Sequence, residues 1–378
     1  MRSSRGAKEV FVIGGGPAGL AVAIAARRRG FTVTVADGAE PFIDKACGEG
    51  LMPATQGALG RLGVELPANV GYRFNGIRFL DKSAAVGADF PHGRGIGIRR
   101  TALHEVLVRE AERSGVKLFW KTPVSGIESG GVRLNSGLLP ARWIIGADGG
   151  HSRVRRWSEL DATVRNHQRF AARRHYRVRP WSEFMEIYWG PKVQAYVTPI
   201  ASEEVCVVMI GETVADAEFG RALSVLPKLR ERLAGAELGS RERGASTAMQ
   251  SLGRVWRDNV ALVGDASGGV DAITGEGLRL AFQQAVALAD AMERGDLRDY
   301  QLAHRRIARR PLWMGAMLQR LGRYDGFRGR TLKMLSENPE LFARLLAIHV
   351  GYAPGGEVVT AGAALGWQLL FNSIRERN

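Results

Sequence analysis

Cysteine is scarce: Cys47 and Cys206 are the two in 378 residues. Two thiols exclude a disulfide framework and point to a reducing compartment. Long apolar runs are missing as well. The longest uncharged apolar stretch near the end, Val358 to Phe371, contains two glycines and is too short to cross a bilayer. The first residues carry charge but no apolar core ahead of the first strand, unlike a secretory leader. A soluble, cytoplasmic protein is the expectation. The seven histidines are scattered and show no metal-ligand spacing, so no metal is expected. Nor can a Ser-His-Asp or Cys-His arrangement be argued.

Acidic residues fall short of basic ones, 38 against 53, which leaves a formal net charge of +15. That balance suits nucleic acid, an anionic membrane surface or acidic ligands. The arginines are spread over many segments and are not interleaved with aromatic residues in any nucleic-acid motif, so nucleic acid is not the expected partner. Most read as solvated faces, with peripheral membrane contact kept open. What is present is a globular composition, 45% hydrophobic and 24% charged, long enough for two domains or for one with an inserted lobe.

The organising stretch runs from Glu9 to Asp37. An apolar run ending at Ile13 stops at a glycine cluster, and an Ala-rich helical segment follows. Gly14, Gly16 and Gly19 stand at G-x-G-x-x-G spacing, with Pro17 and Ala18 between them. Gly14 permits the tight turn, Gly16 lets backbone approach a pyrophosphate, and Gly19 lets the helix pack close to the strand. Helix N-terminal amides then face the phosphates. A second apolar strand, Phe31 to Ala36, ends at Asp37, where an acid accepts from ribose hydroxyls.

Two later stretches repeat the strand-acid-glycine pattern. Trp143 to Ile145 run into Gly146, Ala147, Asp148 and Gly149, and Val260 to Val263 run into Gly264 and Asp265. In the second case Gly275, Glu276 and Gly277 open a long helix whose N-terminus can receive a phosphate or a polarised carbonyl oxygen. Between them, from about 165 to 211, the pattern changes to period two, which predicts an antiparallel sheet. Its Tyr176, Trp181, Tyr188, Trp189 and Tyr196 either floor an apolar pocket or pack a core. Arg99 and Arg100 start a helix, where a cation is unfavourable beside the dipole unless an anion or solvent meets it. The basic segment 304–330 has an apolar face that suits docking on the body, and the apolar pieces LFARLLAIHV and GAALGWQLLF could close a pocket or meet a partner. Lys45, Cys47, Gly48, Glu49 and Gly50 lie in a long Gly-rich loop of the kind that is often functional, although Cys47 alone reads as a small apolar filler.

The motifs GGGPAG, GADGGHSRVR and GDASGGVDAITGEG, in this order over about residues 8–295, resemble the flavoprotein superfamily of p-hydroxybenzoate hydroxylase and geranylgeranyl reductase. The resemblance implies an α/β chain, α+β overall. A Rossmann-like FAD-binding domain (1–160 and 250–295) would carry an inserted antiparallel β-sheet substrate domain (161–249) and a helical C-terminal region (296–378). It implies that Gly14, Gly16 and Gly19, with Pro17 and Ala18, bind the FAD pyrophosphate, and that Asp37 meets the adenosine ribose. Arg100 would contact the phosphates, and Asp148 is the acid of an Asp-Gly motif associated with FAD and NAD(P)H use. Gly264 and Asp265 would meet the ribityl or pyrophosphate portion, and Gly275, Glu276 and Gly277 the flavin ring.

The loop KACGEG and the run ITGEG look closer to the geranylgeranyl reductases, which places Cys47 beside the flavin as a candidate catalytic residue, with Tyr196 as a second. Three departures stand out. Asp37 replaces the usual Glu, Glu49 replaces the second glycine of the reductase loop, and Tyr196 to Pro199 reads Tyr-Val-Thr-Pro where reductases show Tyr-x-Trp-x-Phe-Pro. The expected function is an FAD-dependent oxidoreductase, hydroxylase-type monooxygenase or geranylgeranyl-reductase-like, acting on a largely apolar small molecule with NAD(P)H as donor. The alternative is a non-catalytic FAD- or nucleotide-binding protein at a membrane surface.

Overall fold

The computed structural model describes residues 9–161 and 167–352. Strands Glu9–Ile13, Thr32–Ala36, Lys117–Phe119, Trp143–Gly146 and Val260–Leu262 form a parallel sheet, closed at one edge by the antiparallel Trp256–Arg257. Val10 to Ile13, Trp143–Gly146 and Val260–Leu262 are apolar and buried with little alternation, as in strands covered on both faces, whereas Thr32–Ala36 and Lys117–Phe119 alternate towards the edge. Helix Pro17–Arg28 starts with proline in its first turn, where a missing N–H costs nothing. It buries Leu20 through Ala26 against the sheet.

Registers set the functional edge. Ile13 lies beside both Ala36 and Gly146, and Gly146 beside Leu262. Four parallel strands therefore end level, and the turns after Ile13, Ala36, Gly146 and Leu262 share one rim. In open α/β sheets ligands bind outside that carboxyl edge.

The second sheet has nine strands and is mostly antiparallel. It takes in Gly76–Leu80 and Ala85–Asp89, from the segment that sequence assigns to the first domain. Sequence distance hides that pairing, since Phe184–Gly190 recruits Gly76–Leu80 in parallel across a long gap. The period-two pattern sorts side chains cleanly. Tyr196, Cys206, Val208 and Ile210 enter one core, and Ala195, Val197, Val205 and Val207 enter another beneath three short helices between 214 and 232.

Helices Leu297–Arg323, Asp325–Glu337 and Pro339–Val350 cover the first of these faces. The long helix runs through Pro311 and docks Met314, Leu318 and Leu321 against the sheet, as its apolar stripe predicts. LFARLLAIHV forms the last described helix, whereas Val358 to Phe371 and GAALGWQLLF lie outside the described residues.

Candidate functional site

Two of the three motif glycines are dictated by the protein's own backbone. Gly14 has φ +112°, and a Cβ there would meet Ala147 O at 2.4 Å; one on Gly19 would meet Gly14 O at 1.9 Å. Gly16 differs, because a Cβ there meets nothing within 4 Å. It precedes helix Pro17–Arg28, which has no side-chain cap, so its first amides face the open rim. Gly277, at the start of helix Gly277–Arg294, repeats both features. Gly264, at φ +60°, brings its Cβ position within 2.7 Å of Ala18 Cβ, so the two turns adjoin. Uncapped amides and open glycine faces fit a diphosphate-bearing dinucleotide.

Asp37 uses its carboxylate on the backbone, accepting from Gly15 N–H at 2.6 Å and Ala39 N–H at 2.7 Å. A carboxylate has about four lone-pair directions, so acceptor capacity for ribose remains. Trp120 closes over Gly15, whose Cβ position lies 2.5 Å from the indole. His104 Nε2–H donates to Gly15 O at 2.7 Å, and burial holds this imidazole below its ordinary range, hence neutral. The sequence reading missed Trp120 and His104, which sit outside any glycine motif. Of the two helix-starting arginines, Arg99 pairs with Glu204, while Arg100 Nε is buried without a hydrogen-bond partner among the described residues.

Asp148 caps the short helix Arg153–Trp157, accepting from Ser152 Oγ at 2.6 Å and Arg153 N–H at 2.6 Å. Asp265 is exposed and faces Lys45 Nζ at 3.3 Å. The Glu276 side chain turns inward, 1% exposed and ion-paired with Arg279, so its backbone is what the turn presents. Tyr196, expected as a catalytic group, is buried and donates from Oη to Ile273 O at 2.8 Å. Its hydroxyl thereby holds the 271–277 loop. Asp271, missed in the sequence, anchors the same loop by accepting from Ile273 N–H at 2.9 Å, Gln319 Nε2 at 2.6 Å and Arg169 at 3.3 Å.

Below the 264 turn, Ser267 Oγ donates to Gly264 O at 2.8 Å and so accepts from His304 Nε2–H at 2.9 Å. Burial pulls His304 from 6.5 down to about 4. The folded state thus disfavours the imidazolium that the unfolded chain forms. Stability from this residue is complete above pH 6.5 and falls as pH drops towards 4. The loss is up to about 3 kcal/mol. Melting temperatures from pH 7 to 4 should show a slope that His304→Gln flattens; an unchanged slope would contradict this assignment.

Cys47 is partly buried in the loop ahead of Gly50–Leu51, and its Sγ accepts from Glu49 N–H at 3.4 Å. Loop backbone is held by the antiparallel sheet through Thr198 Oγ1 to Gly48 O at 2.7 Å.

Beside the 271–277 loop, between the sheet and the C-terminal helices, lies an open pocket. Ile77, Met185, Ile187, Met314, Leu318 and Leu346 line it, with Phe79, Phe327 and Phe342 as its aromatic residues. None of the five aromatic residues singled out in the sequence does so; Trp189 and Tyr196 pack the core on this face, and Tyr176 and Tyr188 the opposite one. Among the described residues, polar lining is confined to Thr274, Thr331 and His349, and His349 Nε2–H donates to Thr274 O at 3.0 Å. The pocket therefore meets the glycine-rich loop at Ile273 and Thr274.

Comparison with known proteins agrees with this geometry. Residues 7–295 match the family described as FAD binding domain. The chain is 29% identical over 327 residues to the menaquinone reductase of Mycolicibacterium smegmatis, 78% of either chain. It is 26% identical over 314 residues to the digeranylgeranylglycerophospholipid reductase of Methanothrix thermoacetophila, covering 76% of this chain and 79% of that one. Its fold matches a geranylgeranyl bacteriochlorophyll reductase-like structure from Thermoplasma acidophilum with a TM-score of 0.75 at 20% identity, over 96% of this chain and 98% of that one. A rim of glycine turns and uncapped helix starts, matched over most of its length, shows that this chain belongs to the FAD binding domain family and is an FAD-dependent oxidoreductase.

Proposed function

We propose that this oxidoreductase reduces a carbon–carbon double bond in a largely apolar lipid or prenylated quinone, with NAD(P)H as electron donor. The observation that carries this reading is the apolar pocket opening onto Ile273 and Thr274. Among the described residues, such a lining desolvates a hydrocarbon chain and offers no charged side chain to fix a polar ring. The substrates named in the menaquinone and digeranylgeranylglycerophospholipid reductases are of this kind. In the cofactor site Gly14, Gly16, Pro17, Ala18 and Gly19 hold the pyrophosphate, Asp37 the adenosine ribose, and Arg100 the phosphates. Gly264 and Asp265 hold the ribityl side, the backbone of Gly275 to Gly277 approaches the ring, and Asp148 supports the site by capping its helix. Bound FAD supplies the hydride chemistry. The chain's own residues exclude water, orient the substrate and deliver a proton, for which Cys47 is the proposed donor.

Product analysis tests the reading. Incubation with NADPH and geranylgeraniol or a menaquinone without oxygen is expected to yield product whose isoprenoid chain has gained two hydrogens, a gain that persists in the menaquinone after its ring is reoxidised in air. Product that gains an oxygen atom, formed only in air, would overturn it. Asp265→Ala is expected to weaken FAD binding about tenfold, the loss of one charged hydrogen-bonding partner; flavin retention equal to the parent's would contradict that role. Cys47→Ala should leave FAD bound and slow turnover by about a hundredfold, the range of a lost general acid. Full activity would return Cys47 to a packing role.

The solvent face of helix Leu297–Arg323 supports peripheral contact with an anionic membrane. It exposes Arg305, Arg306, Arg309 and Arg320 together with Leu302 and Trp313. Co-sedimentation with anionic vesicles that weakens in salt checks this, and equal binding to neutral vesicles would refute it.

A further inference from the structure

On the pocket-side face of the antiparallel sheet, three polar residues stand in one cross-strand row. His175 lies opposite Cys206, and Cys206 opposite Thr198. All are buried, 1%, 0% and 0% exposed. Each grips a different, consecutive residue of the Cys47 loop. Cys206 Sγ donates to Cys47 O at 3.6 Å, Thr198 Oγ1 to Gly48 O at 2.7 Å, and His175 Nε2 lies 2.7 Å from Glu49 Oε2.

Glu49 is the pivot. Its φ is +57°, a conformation that favours glycine, yet its side chain is buried with both oxygens engaged. Oε1 accepts from Arg100 N–H at 2.9 Å, which caps the helix bearing the phosphate-contacting arginine from outside. One carboxylate thus joins the sheet, the Arg100 helix and the Cys47 loop.

His175 is held on its other side too, with Nδ1 2.7 Å from Ser240 Oγ. Arg173 Nη1 lies 2.9 Å from Nδ1 and 3.3 Å from Nε2, a position over the ring and not in its plane. Arg173 in turn pairs with Asp44. Glu49, His175 and Cys206 bring ligand-type atoms within 4.8 Å of one another. A guanidinium packed against the imidazole opposes a second cation there, and the donors and acceptors already satisfy each other.

We propose that the row His175–Cys206–Thr198, acting through Glu49, positions the Cys47 loop for turnover, so that His175 and Glu49 are positioning residues for a reaction whose atoms they do not touch. This rests on the reductase reading above, in which Cys47 delivers the proton. The Cys206 thiol serves as a neutral donor, since burial pushes it well above the ordinary thiol range.

The test uses the full-length, FAD-loaded protein with His175→Ala and His175→Gln. The glutamine amide reproduces the Nε2–H donor. Iodoacetamide labelling of Cys47, assigned by peptide mass, reports loop position without any turnover. The rate is expected to change by about tenfold in His175→Ala, because Glu49 loses a charge-assisted hydrogen bond, and to return to within about threefold of the parent in His175→Gln. Anaerobic reoxidation of dithionite-reduced flavin by geranylgeraniol should fall in parallel, with half-saturation and FAD content unchanged. Labelling unaltered in His175→Ala, or altered equally in both variants, would overturn the proposal. Should geranylgeraniol and a menaquinone both fail to reoxidise the parent's flavin, the reductase reading falls, while labelling still decides whether the row sets the loop.

Discussion

Gly16→Ala is expected to strip the protein of FAD while leaving the apo fold intact. A Cβ at this position meets nothing of the protein within 4 Å, and the backbone at φ −69°, ψ 176° accepts alanine without strain. Apo stability should stay within about 0.5 kcal/mol of the parent's. FAD affinity should fall at least about a hundredfold, because in the proposed binding mode the methyl group would occupy the path by which pyrophosphate reaches the amides of Gly16 and Ala18. Gly19→Ala makes the contrast. Its Cβ would lie 1.9 Å from Gly14 O, a backbone atom that cannot swing away. That variant should lose about 3 kcal/mol or more of apo stability along with its flavin. Apo melting and flavin titration of both proteins separate the two causes. Equal FAD affinity in Gly16→Ala and the parent would show that the ligand does not pass over this glycine.

The second large effect is expected at Asp271. Its carboxylate, 2% exposed, takes hydrogen bonds from Arg169, Gln319 and Ile273 N–H. Alanine would leave the 8% exposed Arg169 guanidinium without its anion, with Gln194 Oε1 as a remaining partner at 2.6 Å. Removing one partner of a buried pair costs about 3–5 kcal/mol, most of it the stranded charge. Asp271→Asn retains an acceptor and should lose less. Because the same carboxylate fixes Ile273, turnover should drop further than stability alone explains. Denaturant melts of the FAD-loaded variants measure the loss, and a change below about 1 kcal/mol would mean that Arg169 finds other partners.

How much of this was legible in the sequence follows from how locally each feature is encoded. The rim was legible because strand and glycine turn are neighbours in the chain at Ile13–Gly19, and strand, glycine and acid at Gly146–Gly149 and Leu262–Asp265. Their common edge then follows from parallel pairing. The antiparallel sheet was legible through its period of two, but not its full membership. Gly76–Leu80 is too short and too distant to announce its pairing with Phe184–Gly190.

Side-chain roles were least visible where register across the sheet creates them. His175, Cys206 and Thr198 belong to three separate strands, and only their pairing makes a row facing Cys47. Glu49 showed as a departure from a glycine-bearing loop. The structure gives the physical reason it is tolerated, a glycine-like φ of +57° held by His175 and by Arg100 N–H. Tyr196 was visible as an aromatic residue, but its bond to Ile273 O was not. That bond, from a buried hydroxyl, ties Tyr196 to the 271–277 loop.

One anaerobic experiment addresses the central claim. The FAD-loaded protein is reduced to completion with dithionite, freed of excess reductant, and mixed without oxygen with geranylgeraniol or a menaquinone while the flavin spectrum is followed. If electrons pass to a double bond in the apolar pocket, oxidised flavin returns with substrate-dependent kinetics and the isoprenoid chain of the product, not a quinone ring, gains two hydrogens. A flavin that stays reduced with every such substrate and reoxidises only when oxygen is admitted, with oxygen found in the product, would contradict the reductase assignment.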